Sequence, residues 1–113
     1  MTQYLIYFNQ QWVGNHSAEW FAQRGPLANA VVEEIRAAGE YLFAAGVDED
    51  LTKAITADAT GGALEFRDGP YAPGQQYIGG LTIVDVPDEA RARFWAGKIA
   101  EACGWPQEAR RVY

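Results

Sequence analysis

The run Tyr4-Leu5-Ile6-Tyr7-Phe8 has no polar alternation, and this limits what the chain can fold into. As a strand it places Tyr4, Ile6 and Phe8 on one face and Leu5 and Tyr7 on the other. Both faces then need cover, as in a central strand. Leu81 to Val86 repeats the pattern, with Leu81 and Ile83 set against Val84 and Val86. Two such strands place the middle of a sheet, and the rest of the chain must supply what lies on either side of it.

Helices are the first source of cover. Ser17 can cap a helix beginning Ala18-Glu19-Trp20-Phe21. Gly25-Pro26 is expected to kink or restart it, since proline suits a first turn better than a helix interior. Leu27, Val31, Ile35 and Ala38 then recur at helical spacing, and Gly39 is a C-terminal stop. Pro87 is expected to open a second helix, with Asp88 and Glu89 near its positive end. Its stripe is Ala92, Trp95, Ala96, Ile99, Ala102 and Cys103, and Gly104 and Pro106 end it.

Further strands are expected at Tyr41 to Val47 and Glu108 to Tyr113. Lys53 to Ala57 and Ala63 to Phe66 flank Thr60-Gly61-Gly62, a hairpin signal. Asp68-Gly69-Pro70 ends the second arm. Tyr71 to Tyr77, with Pro73, Gly74, Gln75 and Gln76, reads as a loop before Gly79-Gly80 opens the next strand. The order strand, helix, strand, hairpin, strand, helix, strand predicts one α+β domain over residues 1–113. The expected architecture is a ferredoxin-like sandwich, an antiparallel sheet with two helices on one face.

Two helices cover one face of a five-stranded sheet. A large uncovered apolar patch is uncommon in a soluble monomer. A twofold homodimer with its sheets face to face is the simplest expectation.

At 113 residues the chain suits one domain that buries roughly two-thirds of its unfolded surface. Nine Lys and Arg against 15 Asp and Glu give a net charge of −6, with the basic residues scattered. Arg110-Arg111 is the one basic cluster. Phosphate-led nucleic-acid binding is therefore not expected. One cysteine excludes an internal disulfide and suits a reducing compartment. No charged, apolar signal segment opens the sequence and no run is long enough to span a bilayer. A cytoplasmic location without membrane contact is the expectation.

The second half carries a recognisable pattern. Asp68-Gly69-Pro70-Tyr71, then seven residues, then Gly79-Gly80, an apolar strand ending in acidic residues and an alanine-rich helix, resembles the YCII-related family. That family's signature is Asp-Gly-Pro-Phe, with Tyr71 here in the aromatic place. Glu33 to Gly39 is similar to its first helix, and Glu108 to Val112 to its last strand. The resemblance implies a ferredoxin-like domain that pairs into a dimeric α+β barrel. For activity it implies, in some members, cofactor-free chemistry by a His–Asp pair, one branch being a dehydrochlorinase. The family's helical histidine region holds Ala28 and Asn29 here. Gln75 and Gln76 stand where relatives often carry Lys-Glu.

Candidate chemistry centres on Asp68. Its carboxylate can act as a general base in a cleft, or it can be a turn former bonding to backbone N–H groups two residues on. His16 is the sole histidine and the natural acid–base group near neutral pH. It can reach Asp68 from another element, or be an exposed residue before a helix. Tyr71, Tyr77 and Arg67 are candidate contacts for a small organic ligand. Trp12 and Trp105 can line a pocket or staple loops to the core, and Phe94 can mark a subunit contact. No metal site or cofactor is expected. The sole His and Cys are far apart, Asp48-Glu49-Asp50 lacks the features of a calcium loop, and no nucleotide-binding Gly-rich loop occurs. Cys103, on the helix stripe, reads as a small core residue.

Overall fold

A computed structural model of the chain describes residues 1–72, Gly74 and residues 76–113; Pro73 and Gln75 lie outside the described residues. The elements are β1 (Thr2–Asn9), α1 (Ala18–Ala37), β2 (Tyr41–Gly46), β3 (Ile55–Asp58), β4 (Glu65–Asp68), β5 (Ile78–Val86), α2 (Glu89–Cys103) and β6 (Glu108–Val112). Four strands form an antiparallel sheet in the order β2-β5-β1-β6. With α1 and α2 this is the ferredoxin-like α+β arrangement. β3 and β4 pair only with each other. The hairpin anticipated from Gly61-Gly62 is thus a separate arm, and the sheet has four strands rather than five.

Both helices pack on one sheet face. Val31 and Ile35 of α1 and Ala92, Trp95 and Ile99 of α2 meet Ile6, Val84 and Val86 in one buried cluster. Ile6, Ile35, Val84 and Val86 are fully buried, and each such side chain contributes about 1.5–3 kcal/mol of transfer free energy. Even-numbered positions of β5 face the helices and odd-numbered ones face away, so its burial alternates.

α1 runs unbroken through Gly25-Pro26, against the expected kink. An interior proline costs about 3 kcal/mol of helix propensity. Here it lies on the exposed side, while Trp20, Arg24, Ala28, Val31 and Ile35 form one inward stripe at spacings of three and four. Packing along that stripe on both sides of Pro26 outweighs the local breaker. Leu27 and Ala38, expected on the stripe, are exposed. Ser17 caps α1 by accepting from the Trp20 amide at 3.1 Å. Asp88, rather than Pro87, starts α2 by accepting from the Arg91 amide at 2.9 Å.

Glu40, buried just after α1, joins three elements, α1, α2 and β5. Its carboxylate accepts from Arg91 Nε at 2.7 Å and from Trp95 Nε1 at 3.4 Å. Its amide donates to the Ile35 carbonyl, and its own carbonyl accepts from the Asp85 amide. In β5, Gly79 and Gly80 make room for the Phe8 ring. A Cβ at either position would lie within 2.7 Å of a Phe8 ring carbon.

The other sheet face has no layer over it. Rows of paired residues cross it: Arg110, Leu5, Ile83 and Phe43, then Glu108, Tyr7, Leu81 and Ala45. Phe43 is 50% exposed. The molecule measures 46 × 39 × 18 Å, with a radius of gyration of 16.2 Å. A compact domain of this length has a radius near 13 Å, by its usual scaling. The excess reflects the arm, which has no extensive packing against the body. No helix among the described residues is long and apolar enough to cross a membrane.

Candidate functional site

A concavity open to solvent on one side lies between α1, β2, β5 and the end of α2. It has a volume of about 400 Å³ and is lined largely by apolar groups. Small residues create it. Ala28 on α1, Ala44 on β2 and Gly46, opposite Gly80, leave space that larger side chains would fill, while the room at Gly80 itself is taken by the Phe8 ring. Phe8, Ile99 and Cys103 supply apolar wall, while Asn29, Thr82 and Gln107 supply polar groups. Arg36 and Glu33 lie on its outer part, with Arg36 Nε 3.3 Å from Glu33 and its guanidinium over the Tyr41 ring at 3.9 Å.

Ala28 and Asn29, which stand where the family resemblance leads one to seek a histidine, therefore line this cavity. Its side-chain chemistry is neutral apart from Arg36 and Glu33. Gln107 Nε2 is buried without a hydrogen-bond partner among the described residues. Beside it, Trp105 packs on Phe8, Trp20 and Phe21, so this tryptophan staples the loop before β6 to the body.

Cys103 is buried on the cavity wall. Burial raises its thiol pKa above the ordinary range, only partly offset by the positive charge of Arg24. Little thiolate forms near neutral pH, and the nucleophile in alkylation is the thiolate. Alkylation by iodoacetamide at pH 8 is expected to be at least about tenfold slower in native protein than in urea-unfolded protein. Equal rates, followed by mass spectrometry, would contradict this protected setting.

The five residues singled out from sequence lie elsewhere, and none lines that cavity. Asp68 is exposed at the end of β4, opposite Ile55. Its carboxylate accepts no hydrogen bond from any described residue, and the residue two places on is Pro70, which has no N–H to give. The turn is held instead by Gly69, at φ +97°. The Gly69 amide donates to the Ala54 carbonyl at 2.7 Å, and its carbonyl accepts from the Thr56 hydroxyl at 2.8 Å.

Arg67 and Tyr71 come together at this turn, the guanidinium 5.5 Å from the ring centroid, with Arg67 on the hairpin face opposite Asp68. Tyr77 sits apart, its backbone bonded to the Gln10 amide and the Gln11 side chain. His16 stacks on Trp20 with centroids 3.6 Å apart, and its Nε2 lies 3.0 Å from the Val13 carbonyl. It borders a second concavity with Gln10, Gln11 and Glu49. His16 and Asp68 line no common cavity.

At the tip of the arm, the Thr60 hydroxyl and amide both donate to Asp58 and lower its carboxyl pKa, with Arg67 adding a smaller contribution. No group of three or more His, Cys, Asp or Glu residues suited to hold a metal occurs among the described residues. Comparison of the sequence with models of known protein families and with curated proteins returned no match.

Proposed function

We propose that the chain is a homodimeric, cytoplasmic, small-molecule-binding domain of the YCII-related type, with its ligand in the cavity beside Ala28 and Asn29. The observation that carries this reading is the cavity itself. Its volume of about 400 Å³ falls in the range of small-molecule sites, and mostly apolar walls with a few polar groups are what such sites have. The ligand chemistry that fits is a small organic molecule, mainly apolar, with a polar group for Asn29, Thr82 or Gln107. The uncovered apolar sheet face supports the homodimer.

Cofactor-free acid–base chemistry of the lyase or isomerase kind is a second part of the reading, and it belongs to a cleft around Asp68. The carboxylate is exposed and accepts no hydrogen bond from a described residue of its own chain, and the Arg67–Tyr71 pair belongs to the same turn, with Arg67 on the opposite face of the hairpin. The rival reading makes the domain a non-catalytic accessory protein with a purely structural Asp-Gly-Pro turn. Against it, Gly69 and Thr56 hold that turn without the Asp68 carboxylate. His16, already stacked on Trp20, takes at most a supporting part. The net charge of −6 disfavours nucleic acid as a partner.

A thermal-shift screen of small organic molecules tests the proposal. A ligand at 100 times its Kd stabilises the native state by about 2.7 kcal/mol. A cavity binder is expected to raise the Tm of wild type and of Asp68→Ala, but not of Asn29→Phe, whose ring obstructs the cavity. Binders that shift Asn29→Phe as much as wild type would rule the cavity out.

A further inference from the structure

The arm has two chemically distinct faces. Its register pairs Ile55 with Asp68 and Ala57 with Phe66, so these four residues share one face. Leu64, just before β4, continues that alternation. Thr56, Asp58, Glu65 and Arg67 make the other face. The apolar face is the bare one: Ile55 is 77% exposed and Phe66 68%. A lone two-stranded hairpin is marginal in water, and one that exposes its apolar face has even less to hold it.

The chain also contains a surface that matches. On the open sheet face, Leu5, Tyr7, Leu81, Ile83 and Phe43 form an apolar field, with the cation Arg110 and the anion Glu108 at its β6 margin, Glu108 accepting from the Tyr7 hydroxyl at 3.0 Å. Arg110 makes no ion pair among the described residues. The arm's apolar face carries a single charge, and it is the anion Asp68. One chain therefore holds both halves of a self-complementary contact, which a twofold axis would use twice.

We propose that the arm of each protomer seats its apolar face on the open sheet face of a second copy of the chain, with Asp68 paired to Arg110 of the partner subunit. The cleft around Asp68 is then composite, made by the arm of one protomer and the sheet of its partner. The proposal rests on the homodimer reading above and adds to it where the arm lies and where Asp68 acts. Removal of Ile55 and Phe66 from water supplies the attraction, while the ion pair fixes register and excludes misaligned partners.

Disulfide trapping tests it in a Cys103→Ser background. Protein carrying Asp68→Cys is mixed with protein carrying Arg110→Cys, allowed to exchange subunits and mildly oxidised. A covalent heterodimer on a non-reducing gel, absent when either protein is oxidised alone, is the expected result. In parallel, Asp68→Arg is expected to weaken the dimer at least about tenfold, with Arg110→Asp in the same chain restoring it. A wild-type dimer that gives no heterodimer crosslink and ignores both charge reversals overturns the arm placement alone. A monomeric mass for wild type at micromolar concentration overturns this proposal and the homodimer together.

Discussion

Phe43→Asp is expected to turn the proposed dimer into a monomer at micromolar concentration. Phe43 lies in the row that crosses β2, β5, β1 and β6, next to Ile83, and is half exposed in the isolated chain. If that face is the seam, a carboxylate there loses the buried ring and must itself be desolvated. Removing a large central apolar contact commonly costs 2 kcal/mol or more, so the dissociation constant should rise by at least about 30-fold. Sedimentation velocity across a concentration series reads the change directly. The variant should keep its fold, because Phe43 belongs to no part of the buried core. A dimer of unchanged affinity would mean that the sheet face is not the contact.

Glu40→Ala should destabilise the fold itself. It strips Arg91 of its charge partner and leaves the Trp95 indole N–H buried without an acceptor. Breaking a fully buried pair costs about 3–5 kcal/mol. The Arg91 side chain is 34% exposed and can regain water, so about 2–3 kcal/mol is the better expectation. For a chain of this size that lowers Tm by roughly 10–15 °C. Glu40→Gln keeps an acceptor and should lose distinctly less. Equal losses in the two variants, read by chemical denaturation, would show that the charge and the indole bond contribute nothing separable.

Much of the fold is legible in local pattern. The strands at Tyr4 to Phe8 and Leu81 to Val86, the Ser17 cap and the Gly39 and Gly104 stops each depend on neighbours in sequence. What was not legible depends on partners far along the chain. Gly25-Pro26 looks like a break because the inward stripe that overrides it appears only once Trp20, Arg24 and Ala28 face a packed surface. Glu40 and Arg91 are 51 positions apart, and nothing in either neighbourhood announces the pair. The hairpin was visible, but its separation from the sheet was not, because a two-stranded arm and an edge strand have the same residue preferences.

The candidate site was less legible than the fold. Polar and aromatic residues drew notice at Asp68, Tyr71 and His16, whereas the cavity owes its existence to small ones. Ala44-Ala45-Gly46, paired with Gly80 on the adjoining strand, was the available signal, since small residues on adjoining strands leave room that a bulky pair would fill. Thr82 and Gln107 gave no such sign, because what marks them is their burial beside that space.

The arm's detachment from the body has a consequence for how this chain can change over time. Substitutions more than about 7–10 Å apart that share no neighbours have nearly additive effects. Residues at Ile55, Leu64 and Phe66 share no packed cluster with Ile6, Ile35 or Val84. Mutations in the arm are thereby insulated from the core. Recognition can drift, sharpen or be lost there while the free energy that keeps the sandwich folded stays the same.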